Sequence, residues 1–89
     1  MKQIRMVIRG RVQGVFFRKF VQDTAVKLGL SGFARNLQGG EVEVVAKGPD
    51  GMLQELIRAC QKGPMLARVE DIRVEEDVQA ESHSGFEIK

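Results

Sequence analysis

One glycine-containing stretch carries the residues of this chain that are best suited to bind an anion. It reads GRVQGVFFR over residues 10–18. Gly14 lets the main chain approach a ligand with no Cβ in the way, and Arg18 adds a permanent positive charge whose fork geometry suits two phosphate oxygens. A helix that begins here would add free N–H groups and the positive end of its dipole. The stretch predicts a phosphate site, although an ordinary turn followed by a solvated arginine has the same pattern.

Asn36 is the second residue whose type and position indicate chemistry. Asparagine is depleted in strands, yet this one falls in a short strand pattern beside a glycine turn. It can start the turn by hydrogen-bonding to nearby main chain. Its amide can also donate and accept at once, which suits the orientation of a nucleophilic water. The residue type leaves both interpretations open.

The usual nucleophiles and metal ligands are not arranged for catalysis. Cys60 lies on an apolar helical stripe, which predicts a buried side chain rather than a reactive thiolate. His83 is the one histidine; it has no partner in the sequence for a triad, and we predict a solvated loop residue. The carboxylates of residues 70–77 lack the spacing of a calcium loop. The sequence therefore predicts no metal site and no cofactor.

Strands and helices must bring the candidate residues together. Alternating apolar and polar residues predict strands, and apolar residues at spacings of three and four predict two helices. The predicted order is strand 3–12, helix 17–28, strand 33–37, strand 41–47, helix 50–62, strand 69–74 and a short strand 86–88. This β-α-β-β-α-β order is that of a ferredoxin-like α+β fold, an antiparallel sheet with two helices on one face. Gly39 and Gly40 predict a two-residue hairpin turn.

Length and composition favour one globular domain over residues 1–89. The chain is 43% hydrophobic and 29% charged, which is ordinary for a globular protein. A single cysteine, Cys60, excludes an intramolecular disulfide, and no signal-peptide pattern or apolar run approaching ~20 residues is present. These features predict a cytoplasmic protein without a membrane span. No extended apolar surface stripe demands a partner, so we predict a monomer.

The charge pattern argues against a nucleic-acid partner. The formal net charge is +2, whereas nucleic-acid binding requires a clustered basic patch. The nearest approach to one is Arg5, Arg9 and Arg11, which are spaced like one face of a strand. We predict a solvated strand face that can still raise the local concentration of an anionic small substrate.

Two motifs resemble the signatures of the acylphosphatase family. Residues 10–18 strongly resemble the first, and GFARN at 32–36 followed by GEVEV at 40–44 resembles the second. Residues 28–30 (LGL) and the segments GP at 63–64 and ARV at 67–69 also fit the family pattern, so the resemblance covers nearly the whole chain. It implies a ferredoxin-like fold and hydrolysis of the carboxyl-phosphate bond of a small-molecule acyl phosphate.

The resemblance also implies a role for each matching residue. Arg18 binds the phosphate and Asn36 positions the attacking water. The phosphate-binding loop comprises Gln13, Gly14, Val15, Phe16 and Phe17. Two positions depart from the family pattern, because Ala34 replaces a more common valine and Gly39 replaces a common aspartate. Neither departure touches the two catalytic positions.

Two other functions remain open at this point. A non-enzymatic binding module has the same element order, since a fold does not decide a function. RNA-recognition domains stack bases on aromatic residues of the central strands, and this chain has no Tyr or Trp. A domain that serves a larger carbamoyl-transfer or hydrogenase-maturation protein is the other alternative.

Overall fold

The computed structural model describes residues 2–77 and 83–89. Within them, five strands and two helices follow one another in the predicted order. The elements are β1 (Lys2–Arg11), α1 (Phe17–Lys27), β2 (Ser31–Asn36), β3 (Val42–Gly48), α2 (Asp50–Lys62), β4 (Arg68–Asp77) and β5 (Phe86–Ile88). No helix in this part of the chain is long and apolar enough to cross a membrane.

The strands form one sheet in the order β4-β1-β3-β2-β5. Four strands pair antiparallel, whereas β5 runs parallel to β2, with Phe86 opposite Gly32 and Ile88 opposite Ala34. The ferredoxin-like fold is therefore confirmed, but the sheet is mixed rather than wholly antiparallel. The three residues of β5 are too few to indicate in which direction the strand runs. β5 pairs with the edge of β2 that β3 does not occupy.

Both helices cover the same face of the sheet, where the apolar residues of each element meet. The period of two along β1 places Ile4, Met6 and Ile8 on this face, and the helical stripes supply its other side. The helix residues of the core are Phe17, Val21, Ala25, Leu53, Leu56 and Cys60. The apolar stripes predicted for the two helices are thus the helix faces that are buried in the core.

The connection between β2 and β3 differs from the predicted two-residue turn. Leu37 N donates to Glu41 O at 2.8 Å and Gly40 N donates to Leu37 O at 3.2 Å, so three residues, 38–40, form the loop. Gly40 has a φ of 98°, whereas Gly39 is not left-handed. A turn followed by one left-handed glycine is the usual three-residue hairpin. The two-residue turn was wrong because a glycine pair alone does not set the loop length.

The other face of the sheet carries a charged network rather than freely solvated arginines. Glu43 is 4% exposed and accepts hydrogen bonds from Arg5, at 2.5 Å, and from Arg35. Burial acts to raise the pKa of Glu43, but the two arginines outweigh it and hold the pKa below its ordinary value. The prediction of a solvated basic face is therefore wrong for Arg5, while Arg9 and Arg11 are exposed.

Candidate active site

The loop between β1 and α1 turns its main chain sharply before the helix begins. Gly14 has a φ of 74° and Phe16 a φ of 62°, so left-handed residues stand at two places in the loop. Changes of hand of this kind turn successive N–H groups toward one side of the main chain, where they can bind an anion. Glycine adopts such a conformation without strain at position 14. The loop thus combines two left-handed residues with the start of a helix, a kind of main chain in which N–H groups can face an anion.

The first turn of α1 has a charge pattern opposite to that of an ordinary helix. It contains no acidic residue, and Phe16 at the N-cap makes no side-chain cap hydrogen bond. Arg18 and Lys19 instead place two positive charges near the positive end of the helix dipole, where cations are unfavourable. Helix α2 of the same chain has Asp50 in its first turn. A bound anion would offset the unfavourable charges at the start of α1.

Arg18 is anchored by the residue that follows β5. Its Nη1 atom donates to the main-chain oxygen of Lys89 at 3.0 Å. Lys89 N in turn donates to Ala34 O at 2.9 Å, which extends the pairing of β5 with β2. A guanidinium has five N–H donors in a fixed fork, so one anchoring hydrogen bond leaves others for a ligand. Lys89, the residue after β5, therefore orients the arginine without using up its donors.

Asn36 is the last residue of β2 and has an exposed side chain. It pairs with Val42 across the ladder, immediately before the hairpin loop. Gln13 connects this hairpin to the loop that precedes α1, because its Nε2 atom donates to Leu37 O at 2.8 Å and to Glu41 O at 2.9 Å. The side chain of Gln13 is thus committed to the hairpin beside Asn36.

One pocket of about 250 Å³ brings most of the predicted site residues together. Its lining residues are Val12, Gly14, Phe16, Phe17, Arg18, Lys19, Asn36 and Ile88. Gln13 does not line it, and Val15 is buried in the core. These two loop residues hold the loop in place by side-chain contacts outside the pocket.

Three lining residues were not among the individual site residues predicted from the sequence. Lys19 follows Arg18 directly, and two adjacent cations at a helix start are a signal that could have identified it. Val12 is the last residue of the first strand pattern, which predicts a core residue rather than a site residue. Ile88 lies about seventy residues further along the chain, and nothing in the sequence connects it with the loop.

The other candidate groups lie apart from this pocket. Cys60 is fully buried, as predicted, and burial raises the pKa of its thiol to about 12. His83 is half-buried rather than solvated, because its Nε2 lies 3.1 Å from Gln3 Oε1 on the charged face of the sheet. Among residues 2–77 and 83–89, no three His, Cys, Asp or Glu side chains converge as a metal site would need.

Comparison with known proteins assigns the chain to a family. The model of the Acylphosphatase family matches residues 4–88. An acylphosphatase of Rubrobacter xylanophilus is 47% identical over 99% of this chain and 80% of its own length. One of Thermus thermophilus is 48% identical over 99% of each chain. The crystal structure of acylphosphatase from Bacillus subtilis superposes with a TM-score of 0.96 at 43% identity, covering 100% of this chain and 99% of the other. The chain belongs to the acylphosphatase family.

Proposed function

We propose that the chain hydrolyses acyl phosphates to a carboxylate and inorganic phosphate, with Arg18 and the amides of residues 13–17 binding the phosphate and Asn36 orienting the water. The observation that carries this proposal is the single pocket that Gly14, Phe17, Arg18 and Asn36 share at the start of α1. The proposal agrees with the family to which the chain belongs. In this proposal, residues 1–89 form a single acylphosphatase-like domain.

The chemistry needs few catalytic groups because the leaving group is a carboxylate. Its conjugate acid has a pKa of about 4–5, comparable to Asp and Glu side chains, so it departs without a general acid. Phosphoryl transfer depends mainly on positioning and on stabilisation of charge over the equatorial oxygens. Arg18 and the loop amides stabilise that charge. The reaction as proposed uses no metal and no cofactor.

Asn36 supplies the position of the nucleophile. The amide nitrogen donates and the amide oxygen accepts, so the side chain can hold a water opposite the leaving oxygen. A phosphate oxygen of the substrate accepts the proton of that water, since none of the residues that line the pocket is a carboxylate or a histidine. The pH dependence of kcat should therefore follow ionisation of the substrate. A profile that follows an enzyme side chain would contradict this step.

Hydrolysis of benzoyl phosphate without added metal tests the proposal. We expect activity in the unmodified protein and a loss of at least about 10²–10³ in kcat/KM for Arg18→Ala, the usual cost of removing one transition-state donor. Arg58→Ala is the matched control, because Arg58 is exposed on α2, does not line the pocket and carries the same charge. A folded Arg18→Ala protein with full activity would exclude Arg18 from the reaction. An unmodified protein that binds phosphate without hydrolysis would be a binding module instead.

We further propose that the protein acts as a cytoplasmic monomer without a nucleic-acid partner. The free thiol of Cys60 is buried, which agrees with a cysteine that forms no disulfide in a reducing compartment. Four arginines on the charged face, at positions 5, 9, 35 and 73, are interspersed with carboxylates at 41, 43 and 75. Light scattering measures the mass in solution, and titration with labelled single-stranded RNA at moderate salt tests for nucleic-acid binding.

A further inference from the structure

Phe16 has an unusual main-chain conformation and an unusually exposed side chain, and packing in the core accounts for neither. Its φ of 62° and ψ of 26° are left-handed, a conformation that is unfavourable for a residue with a Cβ. Its side chain is also 77% exposed, so the ring contributes little to the core. Asparagine or glycine would serve better at a left-handed N-cap position. Strained residues of this kind cluster at functional sites.

The ring of Phe16 belongs to the wall of the pocket. Ile88, which is 39% exposed on β5, also lines the pocket. Val12 and Phe17 also line the pocket but are almost wholly buried, so they present little surface to a ligand. Phe16 and Ile88 are therefore the two apolar side chains that a bound molecule can touch.

The pocket is larger than a phosphate group needs. Its 250 Å³ equals the volume of about eight water molecules at ~30 Å³ each. A phosphate held by Arg18 and main-chain amides gains nothing from an apolar wall, whereas an apolar acyl group gains from leaving water. The two exposed apolar side chains are thus suited to contact the acyl group of an acyl phosphate.

We propose that Phe16 and Ile88 bind the acyl group and select acyl phosphates whose acyl substituent is aryl or otherwise bulky and apolar. This inference rests on the proposed function, since it assigns the remaining half of the same substrate. An acetyl group has less apolar surface to bury against the two side chains and gains less from them. Discrimination by one apolar group in such a pocket is roughly 10–200-fold.

The ratio of kcat/KM for benzoyl phosphate to that for acetyl phosphate measures this selectivity. Phe16→Asn is the main variant, because asparagine tolerates the left-handed N-cap and the variant should fold at least as well. We expect the ratio to fall about tenfold in Phe16→Asn and about threefold in Ile88→Ser. Phe16→Tyr keeps the ring and should keep the ratio.

Val26→Asn is the matched control. Val26 is an apolar residue of α1, 62% exposed, and it does not line the pocket. Its substitution should leave the ratio unchanged. A ratio unchanged in Phe16→Asn, or an equal loss for both substrates, would overturn the inference and leave the proposed function standing. Absence of hydrolysis of both substrates by the unmodified protein would overturn the proposed function and this inference with it.

Discussion

Gln13 Nε2 donates a hydrogen bond to the main-chain oxygen of Leu37 at 2.8 Å and so fixes the loop before α1 to the residue that follows Asn36. A second hydrogen bond from the same nitrogen reaches Glu41 O, on the other side of the hairpin. One side chain thereby sets the distance between the element that would hold the phosphate and the residue that would hold the water. Reactions of this type depend on that distance, because a displacement of about 1 Å can cost roughly 10²-fold in rate.

Removal of the Gln13 amide should lower kcat more than it raises KM. We expect Gln13→Ala to reduce kcat for benzoyl phosphate by roughly 10–100-fold, because the hairpin shifts relative to the loop while Arg18 still binds the phosphate. Gln38→Ala, an exposed glutamine of the same hairpin, should have no such effect. Steady-state kinetics on folded variants provide the measurement. A change confined to thermal stability would assign Gln13 a structural role only.

Asn36 should contribute mainly to the chemical step. Asn36→Ala is expected to lower kcat about 10²–10³-fold with a smaller change in KM, since the water is positioned after the substrate binds. Asn36→Asp keeps the shape of the side chain but loses the donor and adds a negative charge near the phosphate, so its loss should be at least as large. A kcat for folded Asn36→Ala equal to that of the unmodified protein would remove Asn36 from the mechanism.

Inorganic phosphate should stabilise the protein through the first turn of α1. A ligand that binds only the folded state at 100 times its Kd adds about 2.7 kcal/mol to the free energy of unfolding. We therefore expect the Tm to rise by several degrees in phosphate and not in chloride of equal ionic strength. Arg18→Ala should lose most of the rise, whereas Arg58→Ala should keep it. An equal rise in all three proteins would indicate a nonspecific salt effect.

Glu43 should make stability sensitive to acid. The folded state lowers the pKa of this carboxyl, so its contribution is present above the ordinary value of 4.5 and is lost as the pH falls through the folded value. At pH 7 we expect Glu43→Gln to lower the free energy of unfolding by roughly 1–3 kcal/mol, and the difference should shrink below pH 4.5. Urea titrations at both pH values test this. Glu55→Gln, which breaks an exposed pair with Arg58, should cost less than about 1 kcal/mol.

Cys60 should make stability sensitive to alkali. Burial raises the pKa of the thiol from 9.0 to about 12. The folded state therefore keeps the proton that the unfolded chain releases, and stability falls as the pH rises from about 9 toward 12. In Cys60→Ala, stability should fall less steeply over this alkaline pH range. The substitution also lowers the free energy of unfolding at neutral pH, because it leaves a cavity. Alkylation of the native protein at pH 8 should be very slow, and rapid modification would show that the thiol is accessible.

The regular elements followed from the sequence because their signals are local. The period of two in residues 3–12 and the stripes of the two helices depend only on near neighbours, and all of them lie where predicted. The direction of β5 and the contact of Ile88 with the pocket depend on residues far along the chain, which no local pattern encodes. Gln13 lies between β1 and α1, as the sequence predicts, but the direction of its side chain depends on the distant carbonyl groups of the hairpin.

The anchoring of Arg18 by Lys89 joins residues 71 positions apart. Closing so long a segment costs chain entropy before any contact compensates for it, and contacts of this range tend to slow folding. Helix α1 and its loop can form from neighbouring residues, whereas the oriented arginine and the wall at Ile88 require β5 to dock. During synthesis, residues 10–36 leave the ribosome well before residues 86–89. The appearance of hydrolytic activity would therefore report the completion of folding rather than the formation of its early elements.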